Sequence, residues 1–546
     1  MPVEALKAPR PDRTTARPRG RRSAREGGAL AIVLHTHMPY VEGFGTWPFG
    51  EEWLWEAMAG CYLPLLDLLE RGAPLTLSLT PVLCDQLEAP GVAERFRSFV
   101  GDVRRYTHGE DAKGLRAGGH EDLAREVERS WGDYERALER FDRCGGDLLG
   151  ALAPYAQWTS SATHAVLPLL ATDAGVRVQV QTGVEAHRAR FTVGAGPKGT
   201  GRGEAMREAR GRGEAWRGGF WLPECAYAPW LTPALADAGV HATCVELTNR
   251  LGLGAREHLT PLVGEEGVTL VPIDRASMAL VWSDDGYPAA GLYRDYHHHT
   301  YNHHNPWGND GQPYDHERAR ALAKEHAADF VSRTGERLLR DGAGLPGGGL
   351  AVCALDTELL GHWWYEGIVW LEAVVEECSR QGLELVRLDD ALERLEPAPL
   401  EGAAILEGDL QMQSDLPRKS GVPLWGDVSI LGAGGGEASS WGKDGDLSTW
   451  SGPQVAEMAF AMRACELEVV AAGAAAGPAA ARELLALQAS DWPFMLARGL
   501  AVPYARERFE GHRLALADAL AKGPEASEEG LRNLAIYADP AALLAP

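Results

Sequence analysis

The sequence predicts an α/β fold with a parallel sheet, and two observations support this prediction. Continuous apolar runs at residues 29–34 and 350–355 each follow a glycine, which is typical of strands that are buried on both faces. Between these runs, strand patterns alternate with amphipathic helix patterns, as at residues 75–79 and 51–71. Strand, helix, strand is the repeating unit of a parallel sheet, so we expect the carboxyl ends of the strands to share one edge.

The remaining elements are assigned in chain order. Residues 93–143 carry apolar side chains at spacings of three and four, which predicts a helical insertion that packs on the sheet. Residues 194–218 are dense in Gly, Arg and Lys and predict an exposed loop. Further predicted elements are strands at 155–163, 241–245, 268–272 and 383–388, and helices at 316–333, 368–381 and 389–395.

The chain divides into three predicted regions. The first 27 residues are rich in Arg and Pro, lack the apolar segment of a secretory signal, and predict a disordered tail. Residues 28–396 predict the sheet domain, and the Pro-rich stretch 396–399 marks its end. Residues 397–546 predict a mainly helical domain, with long helices near 453–472, 479–501 and 504–521.

Composition restricts the partners. A formal net charge of −24 argues against nucleic acid, and no apolar stretch reaches the roughly 18 residues that a membrane span needs. The eight cysteines are scattered singly, without a C-x-x-C pair, as expected of reduced thiols in a cytoplasmic protein. The 17 tryptophans are compatible with stacking on sugar rings, although ordinary core positions explain most of them.

The first catalytic candidate is Glu224, which lies inside the apolar, aromatic run 219–227. Burying a carboxylate is costly unless the group is paired or its pKa moves, so a glutamate in such a run needs an explanation. One explanation is catalysis. The alternative is that Glu224 caps or begins a helix running through residues 230–238.

The second candidate is Asp356, at the carboxyl end of the predicted strand 350–356. Sites in parallel barrels and open α/β sheets are built at that end of the strands. Two acids near tryptophans suit acetal cleavage, in which one attacks the oxocarbenium-like centre and the other protonates the leaving oxygen. Glu358 competes with Asp356, but we expect strand alternation to turn it sideways or onto the loop.

Four motifs in this order resemble the signature regions of the family 57 glycoside hydrolases. They are LHTHMPY at 34–40, ATH at 162–164, WLPECAY at 221–227 and DTELLGHWW at 356–364. The resemblance extends over roughly residues 28–540, and within the family the chain is most similar to the prokaryotic 1,4-α-glucan branching enzymes, including their longer C-terminal region.

The resemblance implies an incomplete (β/α)7 barrel with a helical insertion and a C-terminal α-helical domain. It implies retaining double displacement on an α-1,4-glucan such as glycogen or amylose, without a cofactor or a metal. Glu224 would be the nucleophile and Asp356 the general acid/base, with carboxyl groups about 5 to 6 Å apart. Transfer to a 6-hydroxyl gives branching, transfer to a 4-hydroxyl gives disproportionation, and transfer to water gives hydrolysis.

The resemblance also assigns glucan contacts. From the residues alone, His35 and His37 at a strand end could equally be a metal pair or packed imidazoles, and His164 could be a core residue. Trp441 and Trp450 lie in a Gly-rich loop with few apolar neighbours, and the polar stretch 488–493 interrupts a helix pattern, as a kink with a cap would. The implied glucan-binding residues are His35, His37, His164, Trp221, His362, Trp363, Trp441, Trp450, Gln488 and Asp491.

Two departures from the branching enzymes leave alternatives open. The segment 249–267 is short and lacks the loop tyrosine expected there. An expected Arg falls at Ile273 or Asp274, with Arg275 nearby, and an expected Gly falls at Ala289. A 4-α-glucanotransferase or an α-amylase of the same family is therefore the nearest alternative. A remote one is a metal-dependent polysaccharide deacetylase that would use His35, His37 and Asp356.

The histidine-rich stretch 297–304 is the strongest metal-like signal in the chain. Its imidazoles are too closely bunched for a structural zinc site, and no cysteine accompanies them. We therefore predict a polar loop that flanks the cleft and no metal.

Overall fold

A computed structural model of the chain describes residues 27–46, 49–191, 216–399 and 438–543. The predicted N-terminal tail, apart from its last residue, and most of the predicted loop 194–218 lie outside the described residues. Within the described part, no helix is both long and apolar enough to cross a membrane.

In the described residues, ten strands form one curled, open sheet. Seven of them run parallel in the order β7-β5-β4-β3-β2-β1-β8, which confirms the predicted incomplete (β/α)7 barrel. The short β6 pairs antiparallel with β7 and carries β10, and β9 pairs with β1. The strands are β1 (Ala29–Thr36), β2 (Thr76–Leu79), β3 (Ala156–Ser160), β4 (Gly219–Trp221), β5 (Ala242–Val245), β6 (Leu262–Val263), β7 (Thr269–Pro272), β8 (Leu350–Asp356), β9 (Glu384–Leu385) and β10 (Ala398–Pro399).

The two ends of the seven-strand series approach each other. Just after β7, the backbone N–H of Asp274 donates to the carbonyl of Val352 in β8, over 2.8 Å. The carboxylate of Asp274 is fully buried and accepts two hydrogen bonds of 3.0 Å from Nε of Arg337, which keeps this contact in place. The barrel is thus nearly closed without a continuous ladder between β7 and β8.

Helices cover the sheet. Turns of π-helix at Met58–Tyr62 and Phe99–Arg104 join neighbouring α-helices, so the predicted helix at 51–71 is continuous over 51–70. The α-helices before the C-terminal region are Glu51–Ala57, Leu63–Glu70, Pro81–Leu87, Val92–Ser98, Arg105–Ala117, Glu121–Arg143, Leu148–Leu152, Asp173–Phe191, Thr232–Asp237, Thr248–Leu251, Arg275–Trp282, His316–Asp341, Gly367–Gln381 and Leu388–Leu392. Those of the C-terminal region are Ser448–Ser451, Ala456–Ala472, Gly477–Leu487, Asp491–Arg498 and Val502–Lys522.

Several predicted boundaries need correction. The strand expected at 383–388 is reduced to β9, because the chain turns directly into the helix Leu388–Leu392. The helix expected at 316–333 continues to Asp341. The helix expected at 479–501 is two helices separated at residues 488–490, where the polar break was noted. β10 extends the sheet beyond the predicted boundary at 396.

The C-terminal helices share a core with the barrel. A single cluster of buried apolar side chains includes Leu34 of β1, Leu355 of β8, and Leu485 and Trp492 of the C-terminal region. All four are at most 1% exposed. This shared core presses the end of the chain against the carboxyl edge of the strands.

The close approach of Trp158 requires a glycine at position 219, at the start of β4. A Cβ at this position would lie 2.2 Å from Nε1 of Trp158, which is fully buried and donates to Asp389 over 2.9 Å. Neither the indole nor the strand has room to move in a close-packed interior.

We expect Gly219→Ala to lower the free energy of unfolding by about 1–3 kcal/mol through this overpacking. Gly114→Ala is the matched control, because a Cβ there meets nothing within 4 Å in an exposed helical turn. The control should stabilise by about 0.5–1 kcal/mol. Urea unfolding followed by circular dichroism measures the free energy of unfolding of both variants. Equal changes in the two variants would show that Gly219→Ala does not overpack against Trp158.

Candidate active site

Glu224 follows β4 on the single 3-10 turn Pro223–Cys225. Glu224 and Cys225 both have positive φ, 62° and 49°, and so does His164 after β3, with 61°. Such a backbone costs about 1–3 kcal/mol for each residue other than glycine and persists only where the surroundings enforce it. The alternative that Glu224 begins a helix is wrong, because the next α-helix starts at Thr232.

Both carboxylate oxygens of Glu224 are held by donors from the C-terminal region. Trp441 Nε1 donates to Oε2 over 2.8 Å, and Ser490 Oγ lies 3.0 Å from Oε1. The side chain is 13% exposed. Burial raises the pKa of Glu224 to about 7, and the hydrogen bonds from Trp441 and Ser490 oppose that rise by stabilising the charged form.

Asp356 ends β8 and lies opposite His35 in the register of β1 and β8. Its side chain is half-buried, and no group in the described part of the chain donates a hydrogen bond to its carboxyl. Burial, followed by the charges of Glu358 and Glu224, raises the pKa of Asp356 well above its usual value. The protonated form is therefore favoured here.

Glu358 also lies in the site, so the expectation that strand alternation turns it aside is wrong. The chain leaves the strand after Asp356 and bends through a 3-10 turn, Thr357–Leu359, which brings the carboxylate inward. Glu358 Oε1 accepts from Tyr62 Oη over 2.6 Å and from the N–H of His37 over 3.2 Å. Burial raises the pKa of Glu358 to about 7, against the opposing hydrogen bond from Tyr62.

His35 and His164 contact each other through their Nε2 atoms, over 2.9 Å. The other nitrogens are also engaged: His35 Nδ1 lies 3.4 Å from Ser78 Oγ, and His164 Nδ1 lies 2.8 Å from Ser490 Oγ. Burial lowers the pKa of both imidazoles, and neighbouring histidines lower it further. Both rings are thus neutral, with every nitrogen near a protein partner.

His37 links β1 to the C-terminal region. Its Nε2 lies 3.0 Å from Asp491 Oδ1, and its Nδ1 lies 3.2 Å from Thr80 Oγ1. Its ring stacks on that of His164 with centroids 4.0 Å apart. Burial disfavours the charged ring, but Asp491, Glu358 and Glu224 together raise the pKa of His37.

The predicted tryptophans have different surroundings. Trp221 is fully buried, stacks on His35 with centroids 4.6 Å apart, and meets Trp441 edge-on. Trp441 is half-buried and touches the nucleophile candidate directly. Trp450 is 2% exposed and packs against Val166 and Ala226, so the expectation that it lacks apolar neighbours is wrong.

Gln488 lies behind the site. It is buried, donates to Glu466 over 3.0 Å, and accepts from Gln179 over 3.1 Å. The bond with Gln179 joins the C-terminal region to the barrel, and the bond with Glu466 lies within the C-terminal region. Asp491, three residues later, faces the site through its contact with His37.

His362 and Trp363 line a neighbouring cleft of about 350 Å³. Trp363 is 43% exposed and lies 4.5 Å from the ring of Tyr296, and His362 Nε2 lies 3.4 Å from Tyr296 Oη. The cleft runs between the helix at 51–70, the helical insertion, and the histidine-rich loop. Exposed aromatic faces of this kind are suited to stacking on sugar rings.

The histidine-rich loop flanks this cleft, as predicted. His297, His299, His303 and His304 line it, and His304 Nδ1 lies 2.7 Å from Asp111 in the helical insertion. Across the described ranges, no group of three or more His, Cys, Asp or Glu side chains is arranged to hold a metal ion.

The short segment 249–267 packs on the loop that carries Trp441. Asn249 Nδ2 donates to the carbonyl of Asp444 over 2.9 Å. At the position of the expected arginine, Asp274 instead pairs with Arg337, and Arg275 pairs with Glu246 over 3.2 Å. The departures seen in the sequence thus correspond to contacts within the protein.

Two side chains of the site, Ser490 and Tyr62, were not predicted from the sequence. Ser490 lies inside the polar break at 488–493, whose other members Gln488 and Asp491 were noted, so that break was its signal. Tyr62 lies in an apolar stretch of the helix at 51–70, where a phenol that bonds Glu358 has no distinguishing pattern.

Two family models match the chain. The model described as glycosyl hydrolase family 57 matches residues 213–402, and the model described as 1,4-alpha-glucan branching enzyme, C-terminal, matches residues 459–536. The chain is 31% identical over 541 residues to a probable 1,4-alpha-glucan branching enzyme of Mycobacterium tuberculosis, with 91% of this chain and 93% of the relative covered. It is 30% identical to a 1,4-alpha-glucan branching enzyme of Thermococcus kodakarensis, with 89% and 73% covered.

Solved structures show the same similarity. The GH57-type branching enzyme from Pyrococcus horikoshii superposes with a TM-score of 0.76 at 27% identity, with 95% of this chain and 97% of that chain covered. The alpha-amylase AmyC from Thermotoga maritima gives a TM-score of 0.67 at 22% identity, with 95% and 99% covered, which shows a shared fold.

The electrostatic effect of Glu358 and Glu224 on Asp356 gives a prediction about Asp356. Because the charge of Glu358 raises the pKa of Asp356, Glu358→Gln should lower it. Difference infrared spectroscopy of the protonated carboxyl band across a pH titration measures the shift. Glu42→Gln is the matched control, since Glu42 is equally buried but faces Arg95 and Arg532. An unchanged Asp356 titration in Glu358→Gln would show that the two groups are not coupled.

Proposed function

The chain belongs to glycoside hydrolase family 57, as one of its 1,4-alpha-glucan branching enzymes, and on this premise we propose how its site performs the transfer. Glu224 attacks the anomeric carbon of an α-1,4-glucan and holds the donor segment as a glycosyl-enzyme, while the remainder of that chain leaves with a proton from Asp356. The bound segment then passes to a 6-hydroxyl of another chain, which gives its proton back to Asp356. The observation that carries the proposal is the different environment of two neighbouring acids, Glu224 and Asp356.

Glu224 is the nucleophile in this proposal because its environment supports a carboxylate. Two donors, Trp441 Nε1 and Ser490 Oγ, meet its two oxygens. Hydrogen bonds to the charged form favour ionisation, and they also fix the orientation of the attacking oxygen. Burial of the same group strips water from it, so that it attacks without a full hydration shell.

Asp356 is the general acid/base in this proposal because its environment supports a neutral carboxyl. It has two negative neighbours, Glu358 and Glu224, and no donor from the described residues. It would protonate the departing oxygen and then accept the proton of the incoming hydroxyl. The pKa of each acid is raised by burial, but hydrogen bonds from Trp441 and Ser490 oppose the rise at Glu224, whereas neighbouring acids add to it at Asp356. Such a difference in environment is a usual means of dividing these roles between two acids.

Glucan contacts are proposed for the side chains that reach open space. His37, Trp441 and Asp491 border the two acids, and His362 and Trp363 offer aromatic and polar contacts along the neighbouring cleft. His35, His164 and Trp221 are buried and hold this first group in place. Trp450 and Gln488 lie behind these residues, and we propose that they support the site through the packing of the C-terminal region.

The proposed setting is the cytoplasm, in the synthesis of glycogen or a similar α-glucan. All eight cysteines are free thiols, and six of them are buried, which suits a reducing compartment. The acidic surface suits a neutral polymer better than a nucleic acid.

Incubation of the purified protein with amylose distinguishes branching from hydrolysis and from transfer to a 4-hydroxyl. We expect new α-1,6 linkages in proton NMR spectra with few new reducing ends. Reducing ends without branches would indicate hydrolysis, and redistributed linear chains would indicate a 4-α-glucanotransferase. Either outcome would mean that the segment 249–267, which lacks a tyrosine, redirects the same two carboxylates to another acceptor.

Variants separate the roles of the two acids. We expect Glu224→Gln and Asp356→Asn each to lower turnover of amylose at least about 10⁴-fold, since each group is needed in both half-reactions. With α-maltosyl fluoride as donor, Asp356→Asn should regain cleavage because fluoride leaves without a proton, whereas Glu224→Gln should stay inactive.

Asp389→Asn is the matched control, because this buried carboxylate accepts from Trp158 instead of facing the two acids. Circular dichroism establishes that each variant is folded. Fluoride cleavage by Glu224→Gln but not by Asp356→Asn would reverse the proposed roles.

A further inference from the structure

Four polar side chains form a chain of hydrogen bonds that ends on Glu224. From the far end the contacts are Ser78 Oγ to His35 Nδ1 at 3.4 Å, His35 Nε2 to His164 Nε2 at 2.9 Å, and His164 Nδ1 to Ser490 Oγ at 2.8 Å. The last contact is Ser490 Oγ to Glu224 Oε1 at 3.0 Å. Every member except Glu224 is at most 4% exposed, so water does not compete for these atoms.

We propose that Ser490 is a positioning residue for the nucleophile, and that this chain has one direction, with every hydrogen pointing toward Glu224. The proposal rests on the assignment of Glu224 as the nucleophile. It extends the positioning role of the buried His35 and His164 to the nucleophile itself.

The direction follows from the number of hydrogens available. A carboxylate only accepts, so the single hydroxyl hydrogen of Ser490 points to Glu224. Ser490 Oγ must then accept from His164, which places the hydrogen of His164 on Nδ1. His164 Nε2 is therefore an acceptor, and the hydrogen of His35 lies on Nε2.

The chain ends at Ser78, which donates to the remaining nitrogen, His35 Nδ1. The proposed direction requires both rings to be neutral. A charged His164 would place a second hydrogen at the Nε2 contact, opposite the hydrogen of His35, and a charged His35 could not accept from Ser78. Burial disfavours the charged form of both rings, in agreement with this requirement.

Neighbouring charges act on the same groups. His37 stacks on His164, and it faces Asp491, Glu358 and Glu224. Glu224 itself faces Asp491, His37 and Asp356. Among the described residues, none of these charged side chains donates a hydrogen bond to Glu224 Oε1. The hydrogen bond to this oxygen comes from Ser490.

The backbone supports the arrangement. The N–H of Ser490 donates to the carbonyl of His164 over 3.1 Å, so the two residues are fixed to each other by main chain as well as by side chain. His164 and Glu224 both carry positive φ, which is how a strand end turns each of them toward Ser490. A serine whose only role was to fill space would not need these contacts.

The first test is the pH dependence of kcat/KM for amylose branching. Ser490→Ala should lower kcat about 10- to 100-fold, the loss expected for one hydrogen bond to a charged group, and should move the acid limb to higher pH by about one unit. Ser490→Thr retains the hydroxyl and should restore the acid limb.

Ser161→Ala is the matched control, because this buried hydroxyl has no hydrogen-bond partner among the described residues. It should leave both kcat and the acid limb unchanged. A lower kcat in Ser490→Ala with an unmoved acid limb would mean that Ser490 merely packs, and would overturn the proposal.

The second test needs no variant of Ser490. Long-range ¹H–¹⁵N spectra of protein labelled with ¹⁵N-histidine report which nitrogen of each neutral ring carries hydrogen, with His35→Gln and His164→Gln identifying the signals. Above the acid limb we expect hydrogen on Nδ1 of His164 and on Nε2 of His35. The opposite tautomers, or a charged ring, would overturn the direction proposed here.

The two proposals fail in distinguishable ways. If Glu224→Gln cleaves α-maltosyl fluoride, the nucleophile assignment fails whatever the tautomers are. If Glu224→Gln is inactive but the tautomers are reversed, the nucleophile assignment stands and only the role of Ser490 is lost.

Discussion

The proposed mechanism depends on keeping Glu224 charged although it is buried. Burial alone would leave this carboxyl neutral, and its pKa of about 7 reflects a balance between lost hydration and two hydrogen bonds. Both donors, Trp441 and Ser490, belong to the C-terminal region, and both act across a shared apolar core. The C-terminal region is therefore a structural part of the candidate active site, and its two donors favour the charged form of the proposed nucleophile.

A second constraint is the register of β1 and β8. Because His35 pairs with Asp356 and successive residues alternate across the sheet, the side chains of His35 and Asp356 share one face. Thr36 and Thr357 bond each other on the other face over 2.7 Å, which keeps the two strand ends aligned. A shift of one residue would exchange the faces and separate the acid from the imidazoles. Long apolar strands, nearly fully buried, make that shift expensive.

The sequence predicted the structure correctly where a local pattern of residue types is compatible with a single kind of element. The apolar runs ending at His35 and Asp356 predicted two buried parallel strands, and the aromatic run around Glu224 predicted a buried acid. Prediction from the sequence failed where the position of a side chain depends on tertiary contacts. Glu358 enters the site because the chain bends after the strand, and Trp450 is covered by Val166 and Ala226, which are distant in sequence. Ser490 and Tyr62 became functional only through partners that no local pattern identifies.

The positions of the two donors along the chain also affect the order in which the molecule matures. Trp441 and Ser490 lie 217 and 266 residues after Glu224, so the ribosome completes all seven parallel strands before either donor has been synthesised. A nascent barrel therefore holds Glu224 without the two donors that meet its carboxylate in the complete chain. Premature termination between residues 357 and 440 would give a polypeptide that contains both acids but neither side-chain donor of Glu224. The set of donors around Glu224 is thus completed only when translation is nearly finished.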